Sequence, residues 1–365
     1  MFEPSVCEST DSCDTFVQTP PPPVARPPDV AAALGDLLAG RDLGVEHSEV
    51  LFTALVHGRL DAIEISALCA ALSVKGETAD EIAGAARALR RAAAPFDRPD
   101  YVFADSCGTG GDGAGTINIS TAVAFAAAAC GLPVAKHANR SVSSACGSLD
   151  LMKAAGAGIE VPAQVARRCL DEVGVCILNA PQYHRGIRHA MPVRRTLGVR
   201  TIFNLLGPLI NPARPAVQLV GVFDPGRCRP LAQTLRALGV KAALVVHGSG
   251  LDEIAIHGPT RATLLRDGRL TDLEITPEDA GIARAPLSAL AGGDVAANTR
   301  RVLRILGGQG SAPERAAIAI NAGALLWLAG RAGNLREGAA CVLDVLAGGA
   351  ALARLNRYVE MSHGA

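Results

Sequence analysis

Aromatic side chains are scarce in this chain: eight phenylalanines, three tyrosines and one tryptophan make up 3% of 365 residues. That leaves few platforms on which single-stranded nucleic acid could stack. An excess of either charge is lacking too, because 35 lysines and arginines balance 35 aspartates and glutamates. A formal net charge of zero provides no bulk attraction to nucleic acid or an anionic membrane, so only local patches could supply one. No apolar run reaches the roughly 18 uninterrupted residues that cross a bilayer. The N-terminus has neither the basic start nor the apolar core of a secretory signal. Ten cysteines are present without a single C-x-x-C pair, and most, such as Cys130, Cys169 and Cys341, sit among apolar neighbours. Reduced, largely buried thiols in a cytoplasmic protein are expected, with no nucleic-acid or membrane partner.

What is present is enough apolar sequence, 49% of the chain, to bury a sizeable core. Residues 1–28 combine Ser, Thr and Asp with a Pro20–Pro23 run and read as a disordered, Pro-rich tail. Residues 29–96 carry helical periodicity throughout: Val30, Leu34, Leu37 and Leu38 share a face, and Leu51, Leu55, Ile63, Leu68 and Leu72 follow in later segments. Thr78 three residues before Glu81 predicts a capping box. Beyond Pro95 the pattern alternates. Strands are predicted at Val102–Ala104, Val134–Ala135, Val175–Leu178, Gln218–Val222 and Ala242–Val246, with helices between them. The fold class is therefore α/β: a small all-helical lobe beside a larger domain with a mostly parallel central sheet. Residues 97–187 and 211–360 form that larger domain, and part of 188–210 is helical and returns to the small lobe.

Four segments carry chemistry. The first, Gly108-Thr-Gly-Gly-Asp112, is a glycine turn of the kind that aims several N–H groups at one anion. Thr116, Asn118, Ser120 and Thr121 follow at the start of an apolar helix, with Ser120 and Thr121 placed where an N-cap would be, and the helix dipole adds to the attraction. The second, Lys136-His-Ala-Asn-Arg140, follows a strand-like Pro133–Ala135, where ligands bind in open α/β sheets; Ser143, Ser144 and Ser148 extend it. The third is Asp252-Glu253, a carboxylate pair suited to Mg²⁺. The fourth, Gly198–Pro212, reads as a packed helix end and turn with no catalytic role. Each has a plainer reading: tight strand–helix packing, ordinary capping, a solvated charged loop, a surface acidic pair. Their co-occurrence favours a phosphate-rich ligand.

In this order and spacing the segments resemble the anthranilate phosphoribosyltransferases, and the likeness covers nearly everything after the Pro-rich tail. The resemblance implies a homodimer that binds phosphoribosyl pyrophosphate with Mg²⁺ and transfers its phosphoribosyl group to the amine of anthranilate in tryptophan biosynthesis. It implies that Gly108, Gly111, Asp112, Thr116, Asn118, Ile119, Ser120 and Thr121 hold the donor. Lys136, His137, Ala138, Asn139, Arg140, Ser141, Val142, Ser143, Ser144 and Ser148 would complete that pocket. Ser120, Asp252 and Glu253 would hold Mg²⁺, and Gly108, Asn139 and Arg194 would meet anthranilate, Arg194 at its carboxylate. Lys136 and His137 are the implied catalytic residues, His137 as either a base or a hydrogen-bonding positioner.

The chain departs from the family pattern in two places. Ala138 stands where glycine is usual. Asn179, Arg185-Gly186 and Ile187 replace the usual Phe, Pro-Ala and Met on the acceptor's side. These departures motivate two other readings: a paralogue using a different aromatic amine or heterocycle, and a non-catalytic homologue that binds nucleic acid. Retention of Asp112, Lys136, Asp252 and Glu253 weighs against the latter.

Overall fold

The structure, a computed structural model, describes residues 28–139 and 145–364. The Pro-rich tail up to residue 27 lies outside the described residues, as do Arg140, Ser141, Val142, Ser143 and Ser144.

Four helices open the chain: α1 (Pro28–Leu38), α2 (Val45–Val56), α3 (Ala62–Lys75) and α4 (Ala79–Ala92). Local chemistry sets their starts. Asp61 caps α3 and Thr78 caps α4, each in a reciprocal box with the glutamate three residues on. Glu81 does more than cap. Fully buried, it also accepts from the Leu43 N–H (2.9 Å) and pairs with Lys75 (3.0 Å), fixing the loop before α2. Leu51, Leu55, Leu68, Leu72, Ile82 and Leu89 fill the space between the helices.

The α/β part begins with β1 (Ala104–Gly108), α5 (Ile119–Ala129), β2 (Val134–Ala138), α6 (Ser148–Ala154), α7 (Ala163–Glu172), β3 (Val175–Asn179) and α8 (Ala180–Tyr183). The chain then returns through α9 (Met191–Leu197) and α10 (Phe203–Leu206), which put Val193, Ile202, Phe203 and Leu206 into the helical core. β4 (Val217–Gly221), α11 (Cys228–Ala237), β5 (Ala242–His247), β6 (Thr260–Arg266) and β7 (Arg269–Ile275) complete the sheet. Four helices close the chain: α12 (Val295–Leu306), α13 (Ala312–Leu328), α14 (Leu335–Ala347) and α15 (Ala350–Met361). The sheet order is β3-β2-β1-β4-β5-β6-β7, parallel from β3 to β5 and antiparallel for β6 and β7.

Side chains alternate across this sheet as the pleat requires. Val217, Leu219, Ala242, Leu244 and Val246 enter the core beneath α5, α13 and α15, whereas Val220, Val222, Ala243 and Val245 enter the core shared with the helical lobe. The lobe is thus joined to one sheet face by a common core. Successive strands run outward from β1 on one side and from β4 on the other, so their order reverses between these two. In open sheets a ligand crevice forms at the strands' carboxyl ends at that point.

Three local expectations change. β1 starts at Ala104 instead of Val102, because Asp105 and Ser106, both buried, and the half-buried Cys107 form a central strand despite their polarity. The β6–β7 hairpin was not foreseen, since its outer strand is mostly polar. Its signal was the Asp267-Gly268 turn, with φ of 52° and 73°. Finally, Ser120 and Thr121 lie inside the first turn of α5; Asn118 occupies the cap position and makes no side-chain cap bond.

Candidate active site

The glycine turn leaves β1 directly at the point of strand reversal. Two glycines are dictated by one crossing segment. A Cβ on Gly108 would overlap the Asp252 carboxylate, and one on Gly221, its partner in β4, would overlap the Asp252 carbonyl. Gly110, Gly111, Gly113 and Gly115 all take positive φ, which coils the backbone tightly. Asp252 Oδ2 accepts from the Gly110 N–H (2.7 Å), and Asp112 accepts from the Ala114 N–H (3.1 Å) and the Asp252 N–H (3.3 Å). The N–H groups of Gly111, Asp112, Gly113 and Gly115 have no protein acceptor among the described residues. Unclaimed amides on a coiled turn form an anion nest.

Beside the turn is a buried charge network. Lys136, expected in a loop after its strand, instead lies within β2 with 1% of its surface exposed. Its Nζ donates to the Ser106 carbonyl (2.6 Å) and to Ser120 Oγ (3.0 Å). Asp105 and Glu253 feel this cation, and Asp252 is next to Glu253. Burial raises Asp105 to about 6, opposed by Lys136 and by the amide of Asn211, which donates to Asp105 Oδ2 at 2.8 Å. Burial and the neighbouring Asp112 raise Asp252 to about 7; burial and Asp252 raise Glu253 to about 8. Glu253 also receives the backbone N–H of Ser120. One lysine cannot compensate so many carboxylates, and the site is short of positive charge. No cluster of three or more His, Cys, Asp or Glu placed to hold a metal exists among the described residues. Asp252 and Glu253 nonetheless offer oxygen ligands of the kind a hard cation takes, with water and substrate supplying the rest.

Thr121 Oγ1 donates to Ser148 Oγ (3.1 Å), joining α5 to α6, and Asn118 Nδ2 donates to the Cys146 carbonyl (2.9 Å). Ile119 is buried at the start of α5. Thr116 pairs with Ala291 in an isolated bridge that closes the far side of the turn. Asn139 follows β2, its carbonyl accepting from the Leu149 N–H (3.3 Å). Cys107 lies at the end of β1, and burial pushes its thiol up to about 12, as suits an inert packing residue.

His137 Nδ1 donates to the Gly207 carbonyl (2.9 Å), which fixes the tautomer and leaves Nε2 as a buried lone pair without a partner among the described residues. Burial, reinforced by His184 at 5.1 Å between ring centres, lowers its pKa to about 3. The ring is neutral throughout the physiological range. Arg194 is partly buried, with its guanidinium 5.2 Å from the centre of the Phe203 ring. It forms no carboxylate ion pair among the described residues.

Most of the departures prove to be packing positions, Arg185 being exposed. Ala138 is buried in β2 without positive φ, so its methyl costs no backbone strain. Asn179 Nδ2 donates to the Ile159 carbonyl (3.0 Å), and Gly186 abuts Val56 so closely that a Cβ would meet its carbonyl at 2.6 Å. Ile187 packs on the helical core. Two participants went unseen in the sequence. Asn211, in Ile210-Asn-Pro212, bridges Asp105 and the Ala135 carbonyl, and Asn298 Nδ2 donates to Asn118 Oδ1 (3.2 Å) across 180 positions. Nothing local announces either.

Comparison with known proteins agrees with this geometry. Residues 100–352 match the model of the glycosyl transferase family, a/b domain, and residues 31–93 that of its helical bundle domain. The chain is 59% identical to an anthranilate phosphoribosyltransferase of Sorangium cellulosum, over 91% of this chain and 95% of that one. It is 52% identical to that of Aeromonas salmonicida, over 90% and 98%. A crystal structure of anthranilate phosphoribosyltransferase from Thermus thermophilus is similar at TM-score 0.87 and 41% identity, covering 91% of this chain and 99% of that one. The Saccharomyces cerevisiae enzyme in complex with PRPP and Mg gives 0.83 at 26% identity, covering 92% and 98%.

Proposed function

The chain belongs to the anthranilate phosphoribosyltransferase family, and from that premise we propose that it transfers the phosphoribosyl group of phosphoribosyl pyrophosphate to the amine of anthranilate, releasing pyrophosphate, in tryptophan biosynthesis. The observation that carries this reading is the turn of unclaimed amides at the strand reversal, set against Lys136 and the Asp252–Glu253 pair.

The unclaimed amides of Gly111, Asp112, Gly113 and Gly115, with the dipole of α5 behind them, bind the donor's anionic groups. Thr116, Asn118, Ser120, Thr121 and Ser148 supply short polar side chains around it. Arg140, Ser141, Val142, Ser143 and Ser144 are assigned to the same pocket on family likeness alone. Ser120, Asp252 and Glu253 would hold Mg²⁺, which would supply charge neutralisation for the leaving pyrophosphate. Lys136 is fixed by two hydrogen bonds and needs no reorganisation as negative charge develops nearby, which is how preorganised charge accelerates a reaction.

Arg194 offers a planar fork that matches the acceptor's carboxylate, and Asn139 and Gly108 are assigned to the same acceptor on family likeness alone. His137 acts as a positioner, since a ring whose pKa is about 3 is a poor base at neutral pH. Its free Nε2 lone pair is suited to accept a hydrogen bond from the aryl amine. No covalent enzyme intermediate is needed, so positioning supplies much of the rate.

The working unit is a homodimer in this reading. Ile63 and Val74 of α3 and Leu38 of α1 are largely exposed, apolar surface that a second subunit would cover. Cytoplasmic residence, with small molecules as the only ligands besides the second subunit, fits the lack of any single described helix long and apolar enough to cross a membrane.

The test is the loss of anthranilate fluorescence on adding purified protein, phosphoribosyl pyrophosphate and Mg²⁺. Loss that requires both donor and metal supports the proposal. Donor binding by calorimetry without such loss would move the acceptor to another aromatic amine.

A further inference from the structure

Arg200 has no part in the site as described, yet it spans both halves of the molecule. It lies between α9 and α10, six positions beyond Arg194. Its carbonyl accepts from Ser73 Oγ of α3 at 3.0 Å, which ties its root to the helical lobe. Its guanidinium crosses to the α/β half, lies 4.3 Å from the centre of the Phe223 ring, and donates through Nη2 to the Gly111 carbonyl. Phe223 is itself bound to the turn, its N–H donating to Thr109 Oγ1 at 3.2 Å.

We propose that Arg200 is a positioning residue for the phosphoribosyl donor: by holding the Gly111 carbonyl it sets the orientation of the Gly111–Asp112 peptide and so aims the nest. In a trans peptide the carbonyl and the following N–H point in opposite directions. Fixing the Gly111 oxygen on Arg200 therefore fixes the Asp112 N–H away from it, and that N–H has no acceptor among the described residues. The turn needs such a holder. Glycines at positions 110, 111, 113 and 115 all have positive φ, and glycine loses more freedom on ordering than any other residue. Ordering the peptide before the ligand arrives reduces what binding must overcome.

Arginine suits the task better than lysine because one planar group can stack on Phe223 while donating in its own plane. Because the side chain is rooted in the stretch that carries Arg194, it also links the acceptor's handle to the donor's nest. A surface contact serving only to hold the lobes together would affect stability and both substrates alike.

This role rests on the donor site proposed above, and the wild-type protein tests that site first. Calorimetric titration with phosphoribosyl pyrophosphate and Mg²⁺ that shows no binding would remove the site, and the role with it, before any variant is made. With wild-type binding established, Arg200→Ala is expected to raise KM for the donor about tenfold or more, while KM for anthranilate at saturating donor stays within about twofold. Arg200→Lys should recover only part of the loss, and Phe223→Leu should shift the donor KM in the same direction. If Arg200→Ala does not fold, the other two variants carry the same comparison. An unchanged donor KM in folded variants, or equal rises for both substrates, would overturn the assignment.

Discussion

Burial decides the protonation of the site's residues, and it acts in opposite directions on neighbouring groups. His137 is held neutral with a pKa of about 3. Its imidazole proton resonances are therefore expected to stay flat across roughly pH 5 to 8, the range in which an ordinary histidine titrates. A midpoint near neutrality would return the general-base role to it. Asp252 and Glu253, raised to about 7 and about 8, keep protons that the unfolded chain releases at lower pH. Their contribution to stability is complete below the ordinary carboxylate range and is lost as pH rises through 7 to 8. His137 and His184, both lowered, act in the opposite sense only below their ordinary pKa of about 6.5. Between about pH 6.5 and 9 the metal-free protein should thus melt at lower temperature as pH rises, and added Mg²⁺ should remove most of that slope. A melting temperature that rises across this window without metal would contradict the assignment.

At the scale of elements, each half of the site hangs on a short device whose chemistry is local. The start of α4 depends on the Thr78–Glu81 box, so Thr78→Ala should cost about 1 kcal/mol in urea unfolding. Glu81→Ala should cost about 3 kcal/mol, because it also removes the partner of the buried Leu43 N–H and one of the two carboxylates paired with Lys75. Neither variant should change the donor KM by more than about twofold, since α4 carries no residue of the nest. A large KM effect from Thr78→Ala would mean that the lobe's internal order reaches the active site. The turn after β1 is the opposite kind of device. Its sequence, Gly108-Thr-Gly-Gly-Asp112, signals an anion nest, but the reason for Gly108 is remote: Asp252, from beyond β5, crosses where its side chain would be.

For the whole molecule, the core shared between the helical lobe and one face of the sheet argues for a single cooperative unit. Val220, Val222, Leu231 and Leu235 pack with Leu55, Leu89 and Ile202 in one cluster. Trp327, in α13, is the sole tryptophan and reports on the α/β half alone. Urea unfolding followed by its fluorescence and by far-UV circular dichroism is expected to give coincident transitions, the signature of a two-state process. A dichroism change that precedes the fluorescence change would show the helical lobe melting by itself.

The sequence by itself determined the α/β class, the helical opening, most of the parallel strands and the glycine turn that follows β1. It did so because periodicity, capping boxes and glycine turns are encoded within a few neighbouring positions. Only the tertiary structure decided that Asp105 and Ser106 are buried in a central strand, that Lys136 and His137 lie within β2 instead of beyond it, and that Asn211 and Asn298 bond to Asp105 and Asn118. Each of these depends on burial or on a partner far away in the chain, such as Asn211 against Asp105, 106 positions apart. A charge or amide whose partner is that distant leaves no local pattern, and its environment exists only once the sheet and the helical lobe have closed around it.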